Sequence, residues 1–148
     1  MLKDLQFSKT FWVAISIVYS YCLLLFYAFF ILTEGVLNND TATQYDIAIK
    51  LTSVRLAIIV FGLIAYPVIL SRFLKYAKYL TVAFTAWAIV MYIEDYFVLY
   101  SLVKYPEGRL IDIVQSLRPI FIASSIWMCF ELIFSSQLRD LRYVTKKK

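Results

Sequence analysis

The sequence predicts an all-α membrane protein built as a bundle of four transmembrane helices. Of its 148 residues, 62% are hydrophobic and 17% are charged, whereas soluble proteins are about half apolar and about a quarter charged. A soluble fold of this length buries only about 70% of its unfolded surface, so it could not hide so many apolar side chains. The second observation is that the apolar residues are concentrated in four long segments.

Each of these segments is long enough to cross ~30 Å of hydrocarbon, which takes roughly 20 predominantly apolar residues in a helix. The first segment has no charged residue, the second contains Arg55, and the third contains Glu94 and Asp95. The fourth contains Arg118 and Glu131, and two choices of its limits fit the sequence. We expect a single domain, residues 1–148, with spans near 11–32, 47–70, 79–101 and 112–134, the last with 117–138 as an alternative.

The basic residues predict how the bundle is oriented. Ten Lys and Arg residues fall in the N-terminal tail, the turn between the second and third spans, and the C-terminal tail, against three in the other two connections. Because cytoplasmic connections carry the excess of Lys and Arg, an up-down-up-down bundle in the cell (plasma or inner) membrane with both termini cytoplasmic is predicted. The basic tail at 139–148 is expected to lie on anionic lipid headgroups, each cation contributing about 1 kcal/mol. No nucleic-acid partner is expected.

Several kinds of chemistry lack the residues that they require. The sequence has no histidine, which excludes bis-histidine haem ligation, histidine metal sites and a histidine general base. Cys22 and Cys129 form no C-x-x-C pair, and three glycines cannot build a phosphate-binding loop. We therefore expect this chain to hold no cofactor and no metal and to have no catalytic activity.

Four ionisable residues are predicted to lie at a similar depth in the membrane. At 1.5 Å per residue, Arg55 is ~12 Å, Glu94 and Asp95 are ~10 Å, and Arg118 is ~9 Å from the outer ends of their spans. An unpaired charge near the bilayer centre costs roughly 2.5 to 3.5 kcal/mol on insertion scales. The two cations and two anions are therefore predicted to pair, and we call these four residues the charge cluster.

Polar and small residues at helical spacing predict what surrounds the charge cluster. Thr52 and Gln115 each precede a cluster arginine by three residues and so share its helix face. Tyr92 and Tyr96 flank the acidic pair, and a buried tyrosine hydroxyl needs a hydrogen-bond acceptor. Thr52, Tyr92, Tyr96 and Gln115 are therefore candidate cluster neighbours.

Two further sequence features concern helix packing. Small residues four apart let membrane helices approach closely, and the pairs Ser16/Ser20 and Ser53/Ala57 fit this spacing. Pro67 and Pro119 can bend the second and fourth spans by removing a backbone hydrogen bond, unless Pro119 only marks an early turn of its helix.

Two interpretations of the charge cluster remain open from the sequence alone. In the first, the arginines clamp the carboxylates and fix which helix lies beside which, without further function. In the second, the cluster binds a translocated ion or solute, as intramembrane carboxylates do in transporters. Two arginines for two carboxylates keep both acids ionised, which suits an anion-binding site better than a proton carrier.

Glu131 is predicted to be separate from the charge cluster. It follows Arg118 by thirteen residues, a rotation of about 220° at 100° per residue. Because Glu131 lies near the cytoplasmic end of its span, we expect it to pair with Arg72, Lys75 or Lys78 or to reach the headgroups. The alternative is a contact between Glu131 and another subunit.

The sequence matches no four-span family at its motif positions. A b-type cytochrome needs histidines, a voltage sensor needs an arginine at every third residue of one span, and a small multidrug exporter carries a carboxylate in its first span. We therefore predict a non-catalytic accessory or assembly subunit of a membrane complex, or a self-associating bundle, whose partners are other membrane subunits or copies of itself. The alternative is a transporter or channel protomer for an ion or a small anionic solute; a lipid-modifying enzyme that uses Glu94 or Asp95 ranks third.

Overall fold

The computed structural model describes residues 7–37, 42–99 and 109–134, and this part of the chain forms four long helices. Each contains a segment that is long and apolar enough to cross a membrane. The prediction of an all-helical chain with four membrane-length helices is therefore confirmed. The helices are α1 (Lys9–Leu37), α2 (Ala42–Arg72), α3 (Leu74–Glu94) and α4 (Arg109–Phe134), and a π-helical turn (Asp95–Leu99) continues α3.

The helices are longer than the spans that hydropathy predicts. Helix α1 begins at Lys9 and continues to Leu37, and α2 begins at Ala42. Hydropathy identifies only the part of a helix that suits hydrocarbon, whereas the backbone hydrogen-bond pattern continues through polar turns at either end. Helix α4 contains the whole of 112–134. Three parts of the prediction lie outside the described residues. They are residues 135–138 of the alternative fourth span, the end of the third span at 101 and the basic tail at 139–148.

Each helix packs against two of the others. Helix α1 contacts α2 and α4, and α3 contacts the same two helices from the other side. Phe73 is the single residue that separates α2 from α3. Early α2 meets the end of α3 through Arg55 and Asp95, and late α2 meets early α3 through a 3.0 Å hydrogen bond between the hydroxyls of Tyr66 and Thr81.

The interior is built from narrow stripes of buried residues that recur every three or four positions. On α3 the stripe consists of small residues, which let the neighbouring helices approach closely. Larger side chains from α1 and α4 pack against it, and many large apolar side chains on the other helix faces are exposed, as suits contact with lipid. The stripes are Phe11, Ala14, Val18, Tyr21 and Cys22 on α1, Ala77, Thr81, Thr85 and Ala88 on α3, and Val114, Phe121, Ser125, Met128 and Leu132 on α4.

The predicted small-residue pairs lie on the outside of the bundle. Ser16, Ser20, Ser53 and Ala57 are all exposed, and the hydroxyl of Ser16 donates to the carbonyl of Trp12 on its own helix at 2.9 Å. These pairs therefore do not pack against other helices of the described bundle. Both faces of a membrane helix are apolar, so small-residue spacing alone does not indicate which face points inward.

Pro67 lies within α2, and a tyrosine of α1 compensates for the backbone hydrogen bond that it removes. Because proline has no N–H, the carbonyl four residues earlier, that of Leu63, loses its usual donor. The hydroxyl of Tyr19 donates to this carbonyl at 3.0 Å. Such replacement from a neighbouring helix is how proline is tolerated inside a membrane helix, and here it ties α1 to α2.

Candidate functional site

The charge cluster lies where α2, α3 and α4 meet. Arginines engage both carboxylate oxygens of Asp95: Arg55 Nη1 donates to Oδ1 at 2.7 Å, and Arg118 Nη1 donates to Oδ2 at 2.6 Å. Arg55 Nη2 also donates to Glu94 Oε2 at 3.1 Å. One carboxylate thus links three helices through two short, charge-assisted hydrogen bonds, which are stronger than bonds between neutral groups.

Burial distinguishes the two acids of the cluster. The side chain of Asp95 is 7% exposed and that of Glu94 is 40% exposed, while both arginine side chains are mostly buried. An ion pair that water reaches contributes little, whereas a buried charge depends on its partners. Asp95 is therefore the centre of the cluster, and Glu94 is a peripheral ligand of Arg55.

The end of α3 explains how two consecutive acids reach one guanidinium. Glu94 is the last α-helical residue and Asp95 begins the π-helical turn, a conformation that often occurs at functional sites. Arg55 presents its two Nη atoms in a planar fork, so each of them meets a different carboxylate.

Tyr21 connects α1 to the charge cluster, and sequence analysis did not identify it. Its hydroxyl accepts a hydrogen bond from Arg118 Nε at 3.4 Å and donates to the carbonyl of Val114 at 3.2 Å. Its ring stacks on Phe121 with 4.6 Å between centroids. The available signal was the requirement that a buried tyrosine hydroxyl find a partner, but that requirement does not say which partner.

The predicted neighbours of the cluster differ in where they lie. The guanidinium carbon of Arg118 is 6.0 Å from the ring centroid of Tyr92, within cation–π range. Thr52 and Gln115 line a cavity together with the cluster. Tyr96 is 64% exposed and its ring packs edge-on against Phe97, so it is directed away from the cluster.

The cavity beside the cluster has a volume of about 160 Å³ and a mixed lining. Three of the four cluster residues form part of its wall, and much of the remaining wall is aliphatic or aromatic. The lining includes, on its polar side, Tyr21, Thr52, Arg55, Asp95, Gln115 and Arg118.

A second polar layer lies along the same helices, away from the charge cluster. The hydroxyl of Thr85 is 3.2 Å from Cys129 Sγ and 3.4 Å from the carbonyl of Ser125. Ser125 is buried and Cys129 is half-buried, and both lie on the face of α4 that carries Arg118, seven and eleven residues after it. These neutral contacts join α3 to α4.

Glu131 lies at the opposite end of α4 from the charge cluster and contacts the start of α1. The backbone N–H of Ser8 donates to Glu131 Oε1 at 3.2 Å, and the hydroxyl of Ser8 accepts from the N–H of Phe11 at 3.1 Å, capping α1. A carboxylate is favourable there because the first N–H groups of a helix have no partners within it. The described contact of Glu131 is therefore with the start of α1 rather than with Arg72, Lys75 or Lys78, and its contact with another subunit stays a prediction.

Within the described residues, no three His, Cys, Asp or Glu side chains lie close enough together to hold a metal ion. The geometry instead offers a neutralised ion network, an adjoining cavity and a wide apolar surface. No family model, curated protein or solved structure matches the chain.

Proposed function

We propose that this chain is a non-catalytic subunit of a membrane assembly, formed with other membrane subunits or with copies of itself. The observation that supports this proposal is an open groove of about 730 Å³ between α1 and α4. Its wall on α1 runs from Trp12 to Leu24, a length of ~18 Å at 1.5 Å per residue. The groove therefore extends over more than half of the ~30 Å hydrocarbon thickness.

The lining of the groove suits a transmembrane helix as its occupant. Ser16 and Ser20 lie four residues apart in it, flanked by larger apolar side chains that include Ile17, Leu24 and Ile120. Small residues at this spacing let the backbone of a second helix approach closely, and close approach is what drives helix association where lipid is as apolar as the protein. The charge cluster supports the same function, because a neutralised network holds the bundle in one arrangement while a partner binds.

The test fills the groove by replacing one of its small residues with a larger one. We expect the native chain, purified from its own membrane in mild detergent, to carry a stoichiometric membrane partner or a second, differently tagged copy of itself. Ser20→Leu should reduce this recovery at least fivefold. Ala83→Leu is the matched control, because Ala83 is an exposed small residue of α3 outside the groove.

Two results would overturn this proposal. One is a native chain recovered as a monomer that retains only lipid. The other is equal recovery from Ser20→Leu and Ala83→Leu, which would mean that the partner does not use the groove.

The proposal includes an orientation. The chain forms an up-down-up-down bundle in the cell (plasma or inner) membrane with both termini in the cytoplasm, and the basic tail at 139–148 lies on anionic headgroups. The excess of Lys and Arg on one side supports it. Reporter fusions after Lys75 and Lys148 should read cytoplasmic, and fusions at Asn39 and Glu107 should read external. An external C-terminus would overturn the orientation.

The second candidate function is a transporter or channel protomer for an ion or a small anionic solute. The observation that favours it is the cavity, because Arg55 and Arg118 form part of its wall. Flux of labelled halide or acetate into liposomes that contain only this chain would support the second candidate. Liposomes that contain this chain and remain impermeable to halide and acetate would exclude the second candidate.

A further inference from the structure

The cavity beside the charge cluster carries an inference that goes beyond the proposed assembly function. Its volume of about 160 Å³ is close to that of an engineered protein cavity of about 150 Å³ that binds benzene. A single ring or a short branched chain therefore fits. The apolar wall includes Phe29, Trp87 and Phe121, which suits an aromatic or aliphatic body.

Arg55, a residue of the cavity wall, has one buried polar atom without a partner among the described residues. Nε of Arg55 is buried, and no described residue accepts a hydrogen bond from it, although both Nη atoms of Arg55 are paired. The N–H groups of arginine only donate, and a buried donor without an acceptor is destabilising by about 1 to 3 kcal/mol. A cavity ligand that presents an acceptor to Arg55 would remove that penalty if the guanidinium turns this N–H toward it.

The charge balance selects the kind of acceptor. The cluster holds two guanidinium groups and two carboxylates, so its formal charge is zero. An anionic ligand would add an uncompensated negative charge at low dielectric, and a buried unpaired charge is unfavourable. A neutral acceptor such as a carbonyl oxygen adds no charge.

We propose that this cavity binds a small, neutral, amphipathic molecule whose carbonyl-type acceptor meets Arg55 and whose aromatic or aliphatic body packs beside Trp87. The cavity adjoins the groove between α1 and α4, because Tyr21 and Phe121 line both, but the ligand and the partner occupy different spaces. The second candidate function uses the same cavity, but its ligand is an ion or an anion, whereas the ligand proposed here is neutral.

The test uses Trp87 as a reporter of cavity occupancy. The chain has three tryptophans, and the other two, Trp12 and Trp127, are exposed, so Trp12→Phe and Trp127→Phe leave Trp87 as the single fluorophore. Three brominated probes of similar shape, whose bromine quenches a nearby indole, are titrated into the full chain in nanodiscs. They are 4-bromoacetophenone, 4-bromocumene, which lacks the acceptor, and 4-bromobenzoate, which carries a negative charge.

We expect saturable quenching by 4-bromoacetophenone, with half-saturation at least tenfold lower than for either other probe. Ala88→Leu should raise that half-saturation at least tenfold, because Ala88 is buried and lies in the cavity wall. Ala28→Leu fills the same cavity from α1 and serves if Ala88→Leu does not fold. Ala86→Leu, an exposed residue of α3 outside the cavity, is the matched control and should bind as the parent does.

The proposal is overturned by any of three results. Equal quenching by all three probes would indicate partition into the bilayer, and tighter binding of 4-bromobenzoate would indicate an anion site. Unchanged binding in Ala28→Leu or a folded Ala88→Leu would place the probe elsewhere.

Discussion

At the scale of single residues, the two acids of the charge cluster are predicted to differ in what they contribute. Asp95→Asn removes a buried charge that two arginines share and strands positive charge at low dielectric, so it should lower the free energy of unfolding by about 3 to 5 kcal/mol. Glu94→Gln weakens one longer contact of a side chain that is 40% exposed and should cost less than about 1 kcal/mol. Reversible unfolding in mixed micelles measures the free energy of unfolding of both variants.

A double variant extends this comparison. Arg55→Gln with Asp95→Asn should be less destabilising than the sum of the single changes, because residues in one network are not additive. Equal effects of the two acids, or strict additivity, would contradict the central role of Asp95.

The pairing within the cluster could be predicted from the sequence, but not its full membership. Four charges at one depth in hydrocarbon leave few alternatives to mutual pairing, so Arg55 and Arg118 indicated their partners. Tyr21 gave no comparable signal, because a tyrosine is stable at many depths and its hydroxyl accepts any nearby partner. Tyr96 was misplaced for a related reason: flanking the acidic pair in sequence does not bring a side chain to the same helix face.

At the scale of elements, the contact between Tyr19 and the carbonyl of Leu63 predicts an interaction with Pro67. Tyr19→Phe removes the donor and should cost about 0.6 to 2 kcal/mol, the range for hydrogen bonds between membrane helices. In a Pro67→Ala background the backbone N–H of residue 67 can serve that carbonyl, so Tyr19→Phe should cost much less there. A double-mutant cycle on the free energy of unfolding makes the comparison, and a coupling energy of zero would refute the compensation.

The existence of the helices was more predictable than their faces. Long apolar segments specify membrane helices because an unpaired backbone group in hydrocarbon costs several kcal/mol. Which side of a helix points inward is poorly specified, since lipid and protein interior are both apolar. The small residues of α3, from Ala77 to Thr85, form the inward stripe, whereas the serine pair of α1 does not.

At the scale of the whole molecule, polar contacts occur at three levels along the bundle. The charge cluster joins α2, α3 and α4, and Tyr21 adds α1. The hydroxyls of Thr81 and Thr85 form a middle level, and Glu131 meets the cap of α1 at the far end. Each level joins a different set of helices, so register errors between any neighbouring pair would leave polar groups unpaired.

The single residue that separates α2 from α3 has a consequence for how the nascent chain enters the bilayer. Arg55 emerges from the ribosome before its partners, which follow by 39 and 40 residues, and alone it opposes insertion by roughly 2.5 to 3.5 kcal/mol. Because only Phe73 intervenes, we expect the translocon to release α2 and α3 together, as a hairpin in which Arg55 is already paired with carboxylates. In a glycosylation-mapping assay, a chain truncated at residue 80 should insert α2 poorly, a chain truncated at residue 105 should insert it fully, and Arg55→Leu should restore insertion of the shorter chain. Efficient insertion of the shorter native chain would show that Arg55 enters the membrane before its counter-charges are made.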